Sequence, residues 1–461
     1  CAAVFHPEPD PPNGWRSYHL AEGMRCICMA VVVLKVAWRL KFVGKVNFLQ
    51  PVGPESTGSL VGAHGLAGSC DVRPRRLEPK AKQLDARFYL EAMRTHGDGV
   101  VVYVITDALG VFVREVLPHV RHGFVLVSGS SDNSVLDVLP NASAEELLGS
   151  PRLHRWFMQN AALKHPKVHP LPIGLDLHTL SVQAWPGWGA KAPARAQEQQ
   201  LLAARAWAPA FKRRAARVHA GAFSLYGSHR RLGIQLQLLS QPELVEVGVE
   251  WWDWQRRWAK SVFLADVLWW TPMFPLKDIL WSEWRPELLR LWRSYPWRVG
   301  LVGATFASRE DFWSSAAQFR FVACPPGQGL DTHRAWEVLV LGSIPLVQAG
   351  PHTEIFEMLG LPVVRLQDHE WAALDSPSVQ ERFRAAELQA QSLGQVLPEV
   401  LRLRYWRARF RDSAPPLPTE LATAAAPEAC SAKEASSQLT GGPPPREAEG
   451  AAGAAPAGAA G

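Results

Sequence analysis

FRFVACPPGQGLDTHRAWEVLVLGSIPLV, residues 319–347, decides the fold. Residues 319–323 are apolar and strand-like. Pro325, Pro326, Gly327 and Gly329 exclude a regular element and let the backbone turn tightly. Asp331 or Thr332 can cap a helix. Ala335, Trp336, Val338, Leu339 and Leu341 then recur at helical spacing, and Gly342 ends the helix. Residues 343–347 are a second short strand. A helix that starts directly after a glycine loop presents backbone N–H groups and the positive end of its dipole, which is an anion site. His333 and Arg334 occupy its first turn, where a purely structural design favours acids. Two basic groups beside such a cradle fit a diphosphate. Glu337, one turn on, is in reach of a ribose or sugar hydroxyl; the alternative is an i,i+3 pair with Arg334.

Working outward, residues 100–105 are a continuous apolar run, as in a strand buried on both faces. Residues 109–120 have a helical pattern, and 124–127 are the next buried strand. This is a βαβ unit with parallel strands. Asp107 and the run Ser128-Gly129-Ser130-Ser131-Asp132 then fall at carboxyl ends of strands, where open α/β sheets bind ligands. Asp107 and Asp132 are candidate general bases for a hydroxyl; a helix cap is the alternative for Asp107. Residues 151–159 read as a helix start and 168–173 as a strand ending before Asp176 and His178. Residues 186–220, rich in Ala, Arg and Gln, read as a long surface helix between two lobes. Residues 221–226 read as the strand that opens a second α/β series, followed by a basic turn of His229, Arg230 and Arg231. Arg230 and Arg231 either join a phosphate site or form a solvated turn.

The same words resemble the exostosin-like glycosyltransferases. CPPGQGLDTHRAWEVLVLGSIPLVQ is similar to that family's glycine loop, Asp-x-His-Arg helix start and Glu-x-Leu-x-x-Gly-x-Ile-Pro run. VYVITDALGVFVREVLPHVRHGFVLVSGSSD (102–132), WFMQNAALKHPKVHPLPIGLDLHTL (156–180), GAFSLYGSHRRL (221–232) and LGLPVVRLQDHEW (359–371) resemble further blocks in the same order. The resemblance implies an α/β chain of two Rossmann-like lobes facing a cleft, GT-B-like. Residues 86–215 would form the acceptor lobe and 216–412 the nucleotide-sugar lobe. It implies transfer of a sugar from a nucleotide sugar, UDP-linked, to a glycan or glycoprotein hydroxyl. Gly327, Gly329, Asp331, His333, Arg334 and Arg230 would bind the donor. Asp132, Asp107 and Glu337 would serve catalysis, with Asp176 and His178 on the acceptor side. No Asp-x-Asp pair stands in a strand–loop setting, so metal independence and no cofactor are expected. Pro326, Ala222 and Ser130 depart from the family's pattern. They motivate the alternative of a degenerate member that binds carbohydrate or acts as a scaffold.

Composition agrees with a globular chain: 461 residues, 47% hydrophobic and 20% charged. The net charge of +6 comes with no zinc, homeodomain or RNP pattern, so no nucleic-acid partner is expected. The six cysteines show neither metal spacing nor a disulfide framework. Residues 1–85 read as irregular. The apolar run 24–38 is short of the roughly 20 residues of a membrane span and reads as a buried element or a degraded anchor. The chain starts at Cys1, so a preceding segment is expected. The resemblance implies a Golgi membrane protein held by an N-terminal helix, and the sequon Asn141-Ala-Ser143 is compatible with a lumenal one; a cytoplasmic location is the alternative. Residues 250–298 hold ten of the twenty tryptophans and read as an insertion. Residues 413–461, Ala-, Pro- and Gly-rich, read as a disordered tail.

Overall fold

The computed structural model describes residues 50–53, 56–77, 81–184, 188–221, 229–246 and 308–412. The apolar run 24–38, the Trp-rich block 250–298, Ala222 and the tail 413–461 lie outside these residues.

The first lobe is a parallel sheet of β1 (Val100–Ile105), β2 (Phe124–Gly129), β3 (Leu153–Gln159) and β4 (Val168–Leu171), in that order. Every residue of β1 and β2 is buried, as their β-branched, unalternating sequences require. The β1–β2 connection is a series of short 3-10, α and π turns from Thr106 to His119 rather than the regular helix expected over 109–120. Pro118 lacks the N–H that a continuing helix needs. Residues 151–159 form a strand, not a helix start. Trp156, Phe157 and Met158 are all fully buried between covering layers, and three successive buried side chains suit a parallel strand.

Residues 56–77, expected to be irregular, belong to this lobe. They carry α1 (Ala63–Gly68), and Val72 bridges Val102 in parallel beside β1.

The second lobe is a five-stranded parallel sheet of β5 (Ala215–His219), β6 (Val245–Glu246), β7 (Phe319–Ala323), β8 (Ile344–Gln348) and β9 (Val364–Leu366), ordered β9-β8-β7-β5-β6. The opening strand is therefore 215–219; residues 222–228, in the segment read as that strand, lie outside the described residues. Strand order reverses between β5 and β7, which makes their carboxyl ends the switch point where such sheets bind ligands. The core beneath includes Phe321, Ile344, Leu346, Trp371 and Phe383.

The segment expected as one surface helix is α2 (Ala194–Trp207) followed by a 3-10 turn and β5. Gln197, Glu198 and Leu201 are buried, because α2 packs between the lobes on α3 (Arg309–Ala316) and α4 (His333–Leu341). The chain finally returns to the first lobe. Leu403 donates its N–H to Ser59 O at 2.8 Å, and Phe410 meets Phe157 with ring centroids 4.9 Å apart. Among the described residues no helix is long and apolar enough to cross a membrane.

Candidate functional site

The carboxyl ends of the two sheets face each other, and loops from both meet there. On the first lobe, the backbone is left-handed at Ser130 (φ 56°) after β2 and at Asn160 (φ 52°) after β3. Such strained non-glycine residues persist where surroundings over-determine them. Gln159 Oε1 accepts from Ser130 N, and Tyr103 Oη pairs with Ser130 Oγ at 2.8 Å. Asn160, buried, donates from Nδ2 toward the carbonyls of Ser131, Asp132 and Asn133, and its Oδ1 accepts from Asp331 N at 3.0 Å. This one amide ties the first lobe's loop to the second lobe's glycine loop. Asp107 accepts from Asn133 Nδ2 at 2.9 Å.

On the second lobe, β7 ends in the Pro-Pro-Gly loop and α4 begins at His333, with Gly342 ending it in the left-handed region at φ 75°. Thr332 is the N-cap residue and its side chain makes no cap hydrogen bond; the Asp331 carboxylate accepts from Thr332 N at 2.8 Å. Arg231 donates from Nε to Pro326 O at 2.9 Å. A Cβ on Gly327 would fall 2.5 Å from Arg231 Nη2, so a larger residue there would have to displace the end of that guanidinium. Arg334 lies over the Phe312 ring at 4.7 Å. Burial, then the Arg334 charge, lowers the Arg231 pKa to about 10, with Asp132 opposing. Burial also lowers Arg334 itself. Gly329 packs against Asp132, with 3.2 Å from an added Cβ to its Cα. Two guanidiniums thus converge on the switch point, beside a glycine loop and a helix start, with one carboxylate of the other lobe near by. That arrangement suits a diphosphate.

Several expected site residues have other duties. Asp331 is buried; its carboxylate accepts from Ile173 N of the first lobe at 2.8 Å and from Trp336 Nε1. Burial raises its pKa to about 6, against those hydrogen bonds. His333 Nδ1 pairs with Gly174 O at 2.7 Å. Glu337 is buried, with Oε1 on Arg309 Nη2 and Oε2 accepting from Trp313 Nε1 at 2.8 Å. Arg309 also donates to Asp176 O and Gln197 Oε1 and stacks on Trp188 and Trp313. These groups clamp the lobes together. Arg230 falls in the first turn of the helix His229–Leu239, and its side chain lies outside the described residues.

Beside the clamp, His178 Nδ1 meets Asp176 Oδ1 at 3.2 Å, His64 of α1 stacks on His178 at 4.8 Å, and His333 meets it edge-on at 5.8 Å. Burial and then His178 depress His64 to about 3. Burial also lowers His178, against the pull of Asp176. Asp176 is buried, which would raise its pKa, yet His178, His333 and Arg309 hold it below the usual carboxylate range. Among the described residues no group of His, Cys, Asp and Glu is arranged to hold a metal ion.

The sequence brought Gly327, Gly329, Arg334, Asp132, Asp176 and His178 to this seam. It missed the roles of Asn160, Arg309 and His64, whose partners are remote in sequence.

No family model matches the chain, and no curated protein matches it. Among solved structures it is similar to a UDP-forming α,α-trehalose-phosphate synthase from Burkholderia xenovorans, at 13% identity and TM-score 0.37, over 71% of this chain and 75% of that one. It is similar to HepE from Anabaena in complex with UDP-glucose, at 11% identity and TM-score 0.33, over 68% and 78%. The Escherichia coli trehalose-6-phosphate protein bound with UDP-2-fluoro glucose matches at 11% identity and TM-score 0.35, over 71% and 75%.

Proposed function

We propose that this protein is a glycosyltransferase that moves a sugar from a nucleotide-sugar donor, UDP-linked, to a hydroxyl of a glycan or glycoprotein without a metal ion. The observation that carries the reading is the convergence of Arg231 and Arg334 on the Gly327 loop at the switch point of the second sheet. Fixed positive charge there stabilises the leaving diphosphate as negative charge develops on it. The first lobe's loops supply the acceptor side across the seam. Exposed Asn141, the first residue of the helix Asn141–Gly149, supports a lumenal Golgi location as part of this proposal.

Glu337 favours a second reading. Both its oxygens are occupied by Arg309 and Trp313, so a donor ribose would have to displace them. A degenerate, carbohydrate-binding or scaffold member is the alternative.

Calorimetry of the full chain against UDP-, GDP- and CMP-sugars in EDTA separates the two. Binding of one nucleotide class, weakened at least about tenfold in Arg334→Ala, is the expected outcome, since a charge-assisted hydrogen bond contributes about 1.5–3 kcal/mol. Absence of binding by folded protein refutes the transferase.

A further inference from the structure

Five asparagines occur in the chain, and one of them, Asn141, heads an Asn-x-Ser triplet with a residue other than proline in the middle. The structure separates it from the other asparagines among the described residues. Asn133 donates its amide to Asp107 Oδ1 at 2.9 Å. Asn160 is buried, and its amide is spent on the carbonyls of Ser131, Asp132 and Asn133 and on Asp331 N. Asn141 and Ala142 are exposed, and no group among the described residues pairs with the Asn141 side chain. Ser143 keeps part of its surface open. Local structure accounts for this. Pro140, at φ −55° as its ring requires, leads into the helix Asn141–Gly149, of which Asn141 is the first residue. That helix is held by its buried residues Ala144 and Leu147, so its packing draws nothing from the Asn141 amide.

We propose that Asn141 carries an N-linked glycan, transferred from a lipid-linked oligosaccharide diphosphate in the secretory lumen. This rests on the lumenal part of the reading above and not on the reaction proposed there. The Asn141 Nδ2 forms a bond to the anomeric carbon of the oligosaccharide, whose bond to the diphosphate oxygen breaks. The electron pair leaves with the lipid diphosphate, and the amide nitrogen gives one of its two protons to solvent. Ala142 leaves the backbone free to turn and bring the Ser143 hydroxyl to the amide, as asparagine side chains do in local turns; a proline in its place would fix φ and prevent this. The product is a bulky, neutral, solvated group, whose place is the surface. At Asn133 or Asn160 such a group would break the hydrogen bonds that the amide makes in the fold. At Asn141 it breaks none among the described residues.

The test is expression of the full chain behind a cleavable secretory leader in mammalian cells, with intact mass measured before and after peptide-N-glycosidase treatment. Wild type is expected to lose the mass of one N-glycan, with the deamidation that this enzyme leaves behind found at Asn141. Asn141→Gln removes the amide that takes the sugar. Ser143→Ala keeps Asn141 and removes only the hydroxyl. Both variants are expected to show no loss of mass and to keep the circular dichroism of wild type. A wild type whose mass the enzyme does not change overturns the site, and so does a loss that persists in Asn141→Gln. Because the leader imposes the lumen, an unglycosylated wild type counts against the site and not against the Golgi location. Donor calorimetry decides the transferase reading separately, and absence of donor binding leaves the glycan standing.

Discussion

Arg309→Met is the sharpest test of how the lobes are held. Arg309 keeps 8% of its side-chain surface and Glu337 7%, so both charges are out of water. The guanidinium also serves Asp176 O and Gln197 Oε1, and it lies 4.8 Å from the Trp313 ring centroid. Removing one member of such a pair leaves the other charge buried with little compensation, which costs about 3–5 kcal/mol. Glu337 would keep only the Trp313 indole N–H. Replacing both members by apolar residues removes the uncompensated charge. Arg309→Met with Glu337→Leu is therefore expected to recover at least half of the loss. What stays lost is the donor to Asp176 O and Gln197, about 1–3 kcal/mol.

Urea unfolding of the full chain, read by circular dichroism, measures each corner of this cycle, with an unchanged m-value as the check that one transition is compared. The reasoning is refuted if Arg309→Met costs less than about 1 kcal/mol, or if the double variant equals the sum of the singles within about 0.5 kcal/mol.

Two further outcomes follow from burial. His64 and His219 are depressed from 6.5 to about 3 and about 4, chiefly by burial, so each must stay neutral in the fold. Their stabilising effect is complete above pH 6.5 and is lost as pH falls toward those values, at about 1.4 kcal/mol per pH unit per histidine. Asp331, raised from 3.8 to about 6, runs the other way between those two values and cancels about one of the two slopes. A net loss near 1.4 kcal/mol per unit is expected between pH 6 and 4, steepened by His178, and equal urea midpoints at pH 6 and pH 5 would contradict it. Gly174 has φ 66°, and an added Cβ would lie 2.5 Å from Val61 O. Gly174→Ala should cost about 2 kcal/mol or more in the same assay. Gly110→Ala, with nothing within 4 Å, should cost nothing; similar losses in both would remove the argument.

The second sheet's centre was legible because its signals are local. The helix expected to end at Gly342 runs His333–Leu341, since the glycine loop, the apolar spacing and the stop all lie within one turn of what they control. β1 and β2 were legible for the same reason. β3 was not: LHRWFMQ has neither clean alternation nor a clear helical face, and only burial between two layers decides it. The strand Ala215–His219 carries two alanines, two charged or polar side chains and one valine, too little β-signal to separate it from the helix before it. The site shows the same divide. Arg334 could be placed from its own loop. Asn160 bonds a residue 171 positions away, and Arg309 reaches Asp176 across 133, separations at which one sequence holds no trace of the contact.

The distance between those two kinds of residue explains why the helix start divides its labour. Asp331, His333 and Glu337 are spaced so that their side chains meet Ile173, Gly174 and Arg309, all of which belong to the covering elements at the seam. Arg334, between them in sequence, leaves the helix on another side and lies over Phe312 toward Arg231. A nine-residue helix with residues 335–341 all buried cannot turn to present a different set, because that would expose Trp336 and Leu339. The clamp therefore fixes the azimuth of Arg334. Holding it near Arg231 costs free energy, because the Arg334 charge disfavours the charged form of Arg231 in a half-buried site, with Asp132 opposing. A doubly charged anion between the two arginines reverses the sign of that term. On this argument the lobe contacts and the proposed anion site are one device: loosening the clamp through Glu337, whose oxygens are held by Arg309 and Trp313, should weaken nucleotide binding.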